Sequence, residues 1–148
     1  MDFLKNLGRT EWLIAGGVVA LLVLITIPLM LTGSKKTGRA ELPLMVDAIR
    51  TAEITYRDAY GDYVGSPATP RPVAALDAEP AAWVSTPGFT KLHWSPPTEQ
   101  VYGSYEVQVT PEGFTVIGRA DLDGDGIVAV YKATQDKNAF RVTGEDVY

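Results

Sequence analysis

The chain has 148 residues, with 13 Lys+Arg against 18 Asp+Glu and no cysteine. The lack of cysteine excludes a disulfide framework and a lipid-modified cysteine anchor. From Ala40 onward there are 8 Lys+Arg against 16 Asp+Glu, a net of −8. A domain of that charge is poorly suited to nucleic acid or to an anionic lipid surface.

The first predicted element is the apolar run Trp12 to Leu31. It holds 20 residues, no charge, and only Thr26 as a clearly polar side chain. At about 1.5 Å rise per residue, some 20 residues cross a hydrocarbon core of roughly 30 Å. Gly16, Gly17 and Pro28 are tolerated in a spanning helix, and Trp12 sits where an interfacial aromatic belongs. The run is longer than a signal-peptide core, and Leu29 to Ser34 offers no small-residue cleavage site. The expected organisation is a cytoplasmic segment at 1–11, a transmembrane helix at 12–32, a hinge at 33–38 and an extracytoplasmic globular domain at 39–148. Lys5 and Arg9 before the span nearly balance Lys35, Lys36 and Arg39 after it. Orientation therefore rests on the acidic domain and on its candidate calcium loop, which suits a compartment rich in calcium.

Leu42, Met45, Val46, Ile49, Ala52, Tyr56 and Tyr60 recur at three- and four-residue steps, with Glu41, Asp47, Arg50, Glu53, Arg57 and Asp58 between them. This predicts an amphipathic helix over 39–60, with Pro43 in its first turn and Gly61 as its stop. Pro67, Pro70, Pro72 and Pro80 then mark 65–80 as a surface loop. Trp83, Phe89, Leu92 and Trp94 stand among turn residues and read as short edge segments packed on a core. The lone histidine, His93, has no second His or Cys to make a metal site. Strands are expected at 104–110, 114–120, 127–133 and 139–143, joined by tight turns into an antiparallel meander. The predicted fold class is α+β: an N-terminal transmembrane helix continuing to an amphipathic helix that packs on a C-terminal four-stranded antiparallel sheet.

The sharpest local motif is Asp121-Leu122-Asp123-Gly124-Asp125-Gly126. Three carboxylates alternate, followed by a glycine for the sharp turn, as in the opening half of a calcium loop. The twelfth position is Lys132, where an EF-hand needs a bidentate acid. The expected site is therefore a strand–loop–strand one binding Ca2+ through Asp121, Asp123 and Asp125, with Glu145 or Asp146 from the tail as further ligands. The competing reading is an acidic hairpin turn, since Asp-Gly favours turns by itself. Glu11, at the border of the apolar run, is an assembly or functional candidate because ionisable groups there are costly. The ingredients of an active site are missing: no Ser/His/Asp set, no Cys/His pair, no phosphate-binding glycine loop. A non-enzymatic role without a small-molecule substrate is expected.

The order of parts resembles the type IV pilin and pseudopilin family. The resemblance rests on Glu11 and Pro28, seventeen positions apart, and on the stretch from Arg50-Thr51-Ala52-Glu53 to Tyr56-Arg57-Asp58-Ala59-Tyr60-Gly61-Asp62-Tyr63, which looks like the tyrosine-rich end of the pilin helix. It implies a subunit held in the inner membrane of a bacterium until it assembles into a type IV pilus or secretion-type filament. It also implies that Glu11 pairs with the N-terminal amine of a neighbouring subunit, and that a C-terminal loop binds calcium. Pilins are cut after glycine. Counted from Glu11, the cut would fall between Asn6 and Leu7, and Gly8 lies two positions late. That leaves a second reading open: an uncleaved, membrane-tethered module that never polymerises and binds an envelope partner through Pro67–Pro80 or Trp83–Trp94.

Overall fold

The structure, a computed structural model, describes residues 38–148, which lie within one compact unit, Lys35–Tyr148. The expected span at 12–32, Glu11, Pro28 and the hinge up to residue 37 lie outside the described residues. Among the described residues no helix is long and apolar enough to cross a membrane.

Helix α1 covers residues 38–60 of the described chain, so Gly38, read as the last hinge residue, is helical. Its buried residues are Gly38, Leu42, Met45, Val46, Ile49 and Glu53. The steps of three and four residues keep them on one face. The expected stripe departs from this after Ile49. Glu53 takes the inward position, while Ala52 and Tyr56 turn to the flank and Tyr60 is 67% exposed.

The strands are β1 (Ser66–Thr69), β2 (Ala81–Ala82), β3 (Gln100–Val101), β4 (Ser104–Thr110), β5 (Gly113–Ala120), β6 (Ala129–Thr134) and β7 (Lys137–Arg141). The main sheet is antiparallel and has five strands in the order β1-β4-β5-β6-β7, not the four expected. The meander β4 to β7 follows the order read from the sequence, with β6 beginning two residues later and β7 two residues earlier than expected. The extra strand is β1, taken from the proline-rich stretch assigned to a loop. Its two Cα partners, Ser66↔Val107 and Thr69↔Tyr105, flank a register irregularity. At an edge, a proline such as Pro67 can sit in a strand without breaking a ladder on both sides. So short and proline-punctuated a strand carries no alternation for a sequence reading to find.

β2 and β3 form a separate two-stranded ribbon. Helix α2 (Pro87–Lys91) is capped by the Thr86 hydroxyl, which accepts from the Phe89 amide. It ends with His93 in the left-handed region at φ 51°, where His93 and Trp94 donate back to Thr90 and Phe89. This carries Phe89, fully buried, into a cluster with Trp83 and Trp94, with ring centroids 5.2–5.4 Å apart. The aromatic segment thus packs on the core, as expected, but through a short helix rather than edge segments, with Trp83 and Trp94 partly buried.

Polar side chains on the flanks of α1 fasten it to the sheet. The Glu41 carboxylate accepts from the Tyr102 and Gly103 amides at 3.0 Å and from the Tyr105 hydroxyl at 2.7 Å. Asp47 accepts from the Ala139 amide of β7 at 2.6 Å. Arg50 donates to the Thr134 and Gln135 carbonyls in the β6–β7 turn, at 2.6 and 2.8 Å. Such charge-assisted bonds fix where along the sheet the helix lies.

Candidate metal site in the 121–126 turn

Strand β5 delivers Asp121 to its C-terminal end, and β6 begins at Ala129. Asp121 is buried, and its two carboxylate oxygens accept the amides of Gly124 at 2.8 Å and Gly126 at 3.0 Å. Those amides can point inward because Gly124 and Gly126 take φ values of +73° and +84°, a region costly for residues with a Cβ. Asp125 accepts the Ile127 amide at 2.7 Å. Leu122 is buried between the acids and donates to the Tyr148 carbonyl at 2.9 Å, which ties the turn to the tail.

The turn brings Asp121, Asp123 and Asp125 together. One oxygen from each lies within 4.8 Å of the others, a grouping that can hold a metal ion. Asp123 and Asp125 are exposed, and among the described residues none of the three pairs with a basic side chain. At that spacing each pair of charges repels by about 1 kcal/mol even at water's dielectric. The tail acids Glu145 and Asp146 are not part of the grouping, although the tail itself passes beside Leu122. Lys132 lies within β6, opposite Ile117 and Phe140. The unit is therefore strand–turn–strand.

A second feature had no sequence signal of its own. An open groove of about 700 Å3 runs along α1 beside the α2 terminus, lined by Ala52, Thr55, Tyr56, Ala59, Leu92 and Trp94 among others. Ala48 and Thr51 line it too, and exposed Leu44 stands one turn before Ala48. No Asp, Glu, Lys or Arg lines the groove.

The chain matches no family model, no curated protein and no solved structure.

Proposed function

We propose that this chain is a membrane-anchored, pilin-like structural subunit of a type IV pilus or secretion-type filament, with a C-terminal turn braced by calcium. The observation that carries the reading is the build of α1. α1 is fastened to an antiparallel sheet by apolar burial and by Glu41, Asp47 and Arg50, while the stretch from Ala48 to Tyr60 lines an open groove without a charged acid or base. A lone soluble domain has no need of a second uncharged helical face; a subunit with lateral neighbours does. The apolar run Trp12–Leu31 supplies the anchor, with the acidic domain outside the inner membrane. Glu11 then supplies the ionic contact that sets register between subunits, which is what a buried pair does better than adding stability. Glu11→Ala is expected to leave membrane insertion intact and to abolish filament assembly in the native host. Normal filaments from that variant would refute the role.

The metal part of the proposal rests on donor chemistry. Carboxylate oxygens suit a hard cation, and three of them meet part of calcium's requirement for six to eight oxygens, the rest coming from water and backbone carbonyls. Each Asp121 oxygen keeps a lone pair beyond the one facing a glycine amide. The full chain in detergent, titrated with calcium, is expected to melt several degrees higher at saturation, since a ligand that binds only the folded state stabilises it. Asp123→Asn with Asp125→Asn should abolish the gain. A melting temperature that ignores millimolar-range calcium would remove calcium from the proposal and leave an acidic turn.

The uncleaved tether remains the second reading because Asn6 stands where a pilin has glycine. The intact mass of the protein from its native membrane separates the two: loss of residues 1–6 favours the filament, and retention of Met1 or Asp2 favours the tether.

A further inference from the structure

We propose that Glu53 is a proton-operated latch at the corner between α1 and β1: protonated, it holds the corner shut, and ionised, it draws water in and opens the 61–65 turn.

The side chain is fully buried, at a helix position that continues the apolar stripe of Leu42, Val46 and Ile49. Its Oε2 accepts the Val64 amide at 3.0 Å, eleven residues on, which pins the segment leading into β1 against the helix. Its Oε1 is buried with no partner. A carboxylate in that setting lacks compensation for its lost hydration, whereas a carboxylic acid fits with much less penalty. Burial, the larger influence, outweighs the Val64 amide and lifts the carboxyl from its ordinary 4.5 to about 7.

The charged groups of this corner are Arg50 and Arg57 on α1, Asp62 in the turn, Lys91 on α2, and Glu112 and Asp136 in the hairpin turns. All but Arg50 line one open cleft of about 840 Å3. Arg50 is committed to the Thr134 and Gln135 carbonyls, while Arg57 and Lys91 lie over the rings of Tyr63 and Tyr56. Among the described residues none of these groups bonds to Glu53, so none neutralises it when it ionises.

The corner also has a place to bend. Gly61 ends the helix at φ +88°, and a side chain there would meet nothing within 4 Å. Between Gly61 and β1 the held points are the Val64 amide, the Val64 side chain buried in the core, and the Tyr63 ring, 4.7 Å from Phe114. Releasing this stretch alters the cleft that Asp62 and Tyr63 help to line.

An acid whose folded pKa is raised gives its full stabilisation below its ordinary value and loses it as pH rises through the folded value. The latch is therefore closed in mildly acid medium and open above neutrality. The test is amide hydrogen exchange of the full chain in detergent, corrected for intrinsic rates. Protection across 61–69 is expected to fall roughly tenfold between about pH 6 and about pH 8, while β5 and β6 keep theirs. Glu53→Gln, neutral at every pH, is expected to remove that dependence. Equal protection at both pH values, an equal loss in Glu53→Gln, or a loss spread evenly over all strands would overturn the latch. Carbon NMR of the Glu53 carboxyl in the unmodified chain is an independent check, and a titration midpoint near 4.5 would also overturn it.

Discussion

Glu41→Ala is expected to destabilise the domain by about 3 kcal/mol, because it strips the acceptor from three donors at once. The Gly103 amide and the Tyr105 hydroxyl are both in buried residues, and the Tyr102 amide is half-buried beside them. Burial, and then the neighbouring Glu41 charge and hydrogen bond, push the Tyr105 hydroxyl well above its ordinary 10.0. Tyr105 thus stays a donor at any working pH, and removing Glu41 leaves that donor buried and unmet. Glu41→Gln keeps an acceptor oxygen and should cost about 1 kcal/mol, as should Tyr105→Phe, which takes away a single donor. Urea unfolding of the full chain in detergent, followed by near-ultraviolet circular dichroism, measures all three. A Glu41→Ala protein within about 1 kcal/mol of the parent would mean that water replaces the carboxylate freely. A double-mutant cycle of Glu41→Ala with Tyr105→Phe should show positive coupling, since the two side chains share one bond.

The three donors stand 61 to 64 residues beyond Glu41 in the chain, which explains why the residue reads from sequence as ordinary helix surface. The same holds for Asp47 and Arg50, whose partners lie 92 and 84 to 85 residues away. Periodicity locates the face of a helix that is apolar, and α1 was legible in that respect through Leu42, Val46 and Ile49. It has no means of telling that a polar residue at the edge of the face reaches across to sheet backbone. Glu53 is the sharper case. Its spacing from Ile49 and Val46 places it on the buried stripe, but its charge argues for the opposite face, and burial won because the Val64 amide meets one of its oxygens. The meander was legible because alternating apolar strands are broken by turn residues, Pro111-Glu112-Gly113 after β4 and the aspartate–glycine run 121–126 after β5. β1 was not, because its pairing with β4 skips over the ribbon and α2 and leaves only a few bonds to an edge. The aspartate turn was legible as a cluster. That Asp121 is buried and spends both oxygens on glycine amides, while Asp123 and Asp125 face solvent, came only with the fold.

Gly118→Val is expected to cost more than about 3 kcal/mol and to lift α1 from the sheet, at the upper end of what overpacking does. Gly118 lies in the middle of the main sheet, opposite Tyr105 on one side and Tyr131 on the other. It faces the helix. A Cβ placed there would come within 2.6 Å of Val46 Cγ2 and 3.2 Å of Tyr105 Cε1, with Leu42 just beyond. The atom in the way belongs to a β-branched side chain in a helix, which has essentially one rotamer, so it cannot swing aside. The helix backbone must move instead. Gly118→Ala should therefore cost about 2 kcal/mol, and adding Val46→Ala should recover part of that by vacating the contact. A Gly118→Ala protein as stable as the parent, or one that Val46→Ala only weakens further, would show that the helix has room to spare. The consequence reaches past stability. Glu41, Asp47 and Arg50 hold α1 to within hydrogen-bond tolerance of three separate parts of the sheet, so a helix raised by one methyl group loses those bonds together. The open groove on its other side is then no longer presented at a fixed height, and the lateral contacts proposed for that face should fail before the domain unfolds.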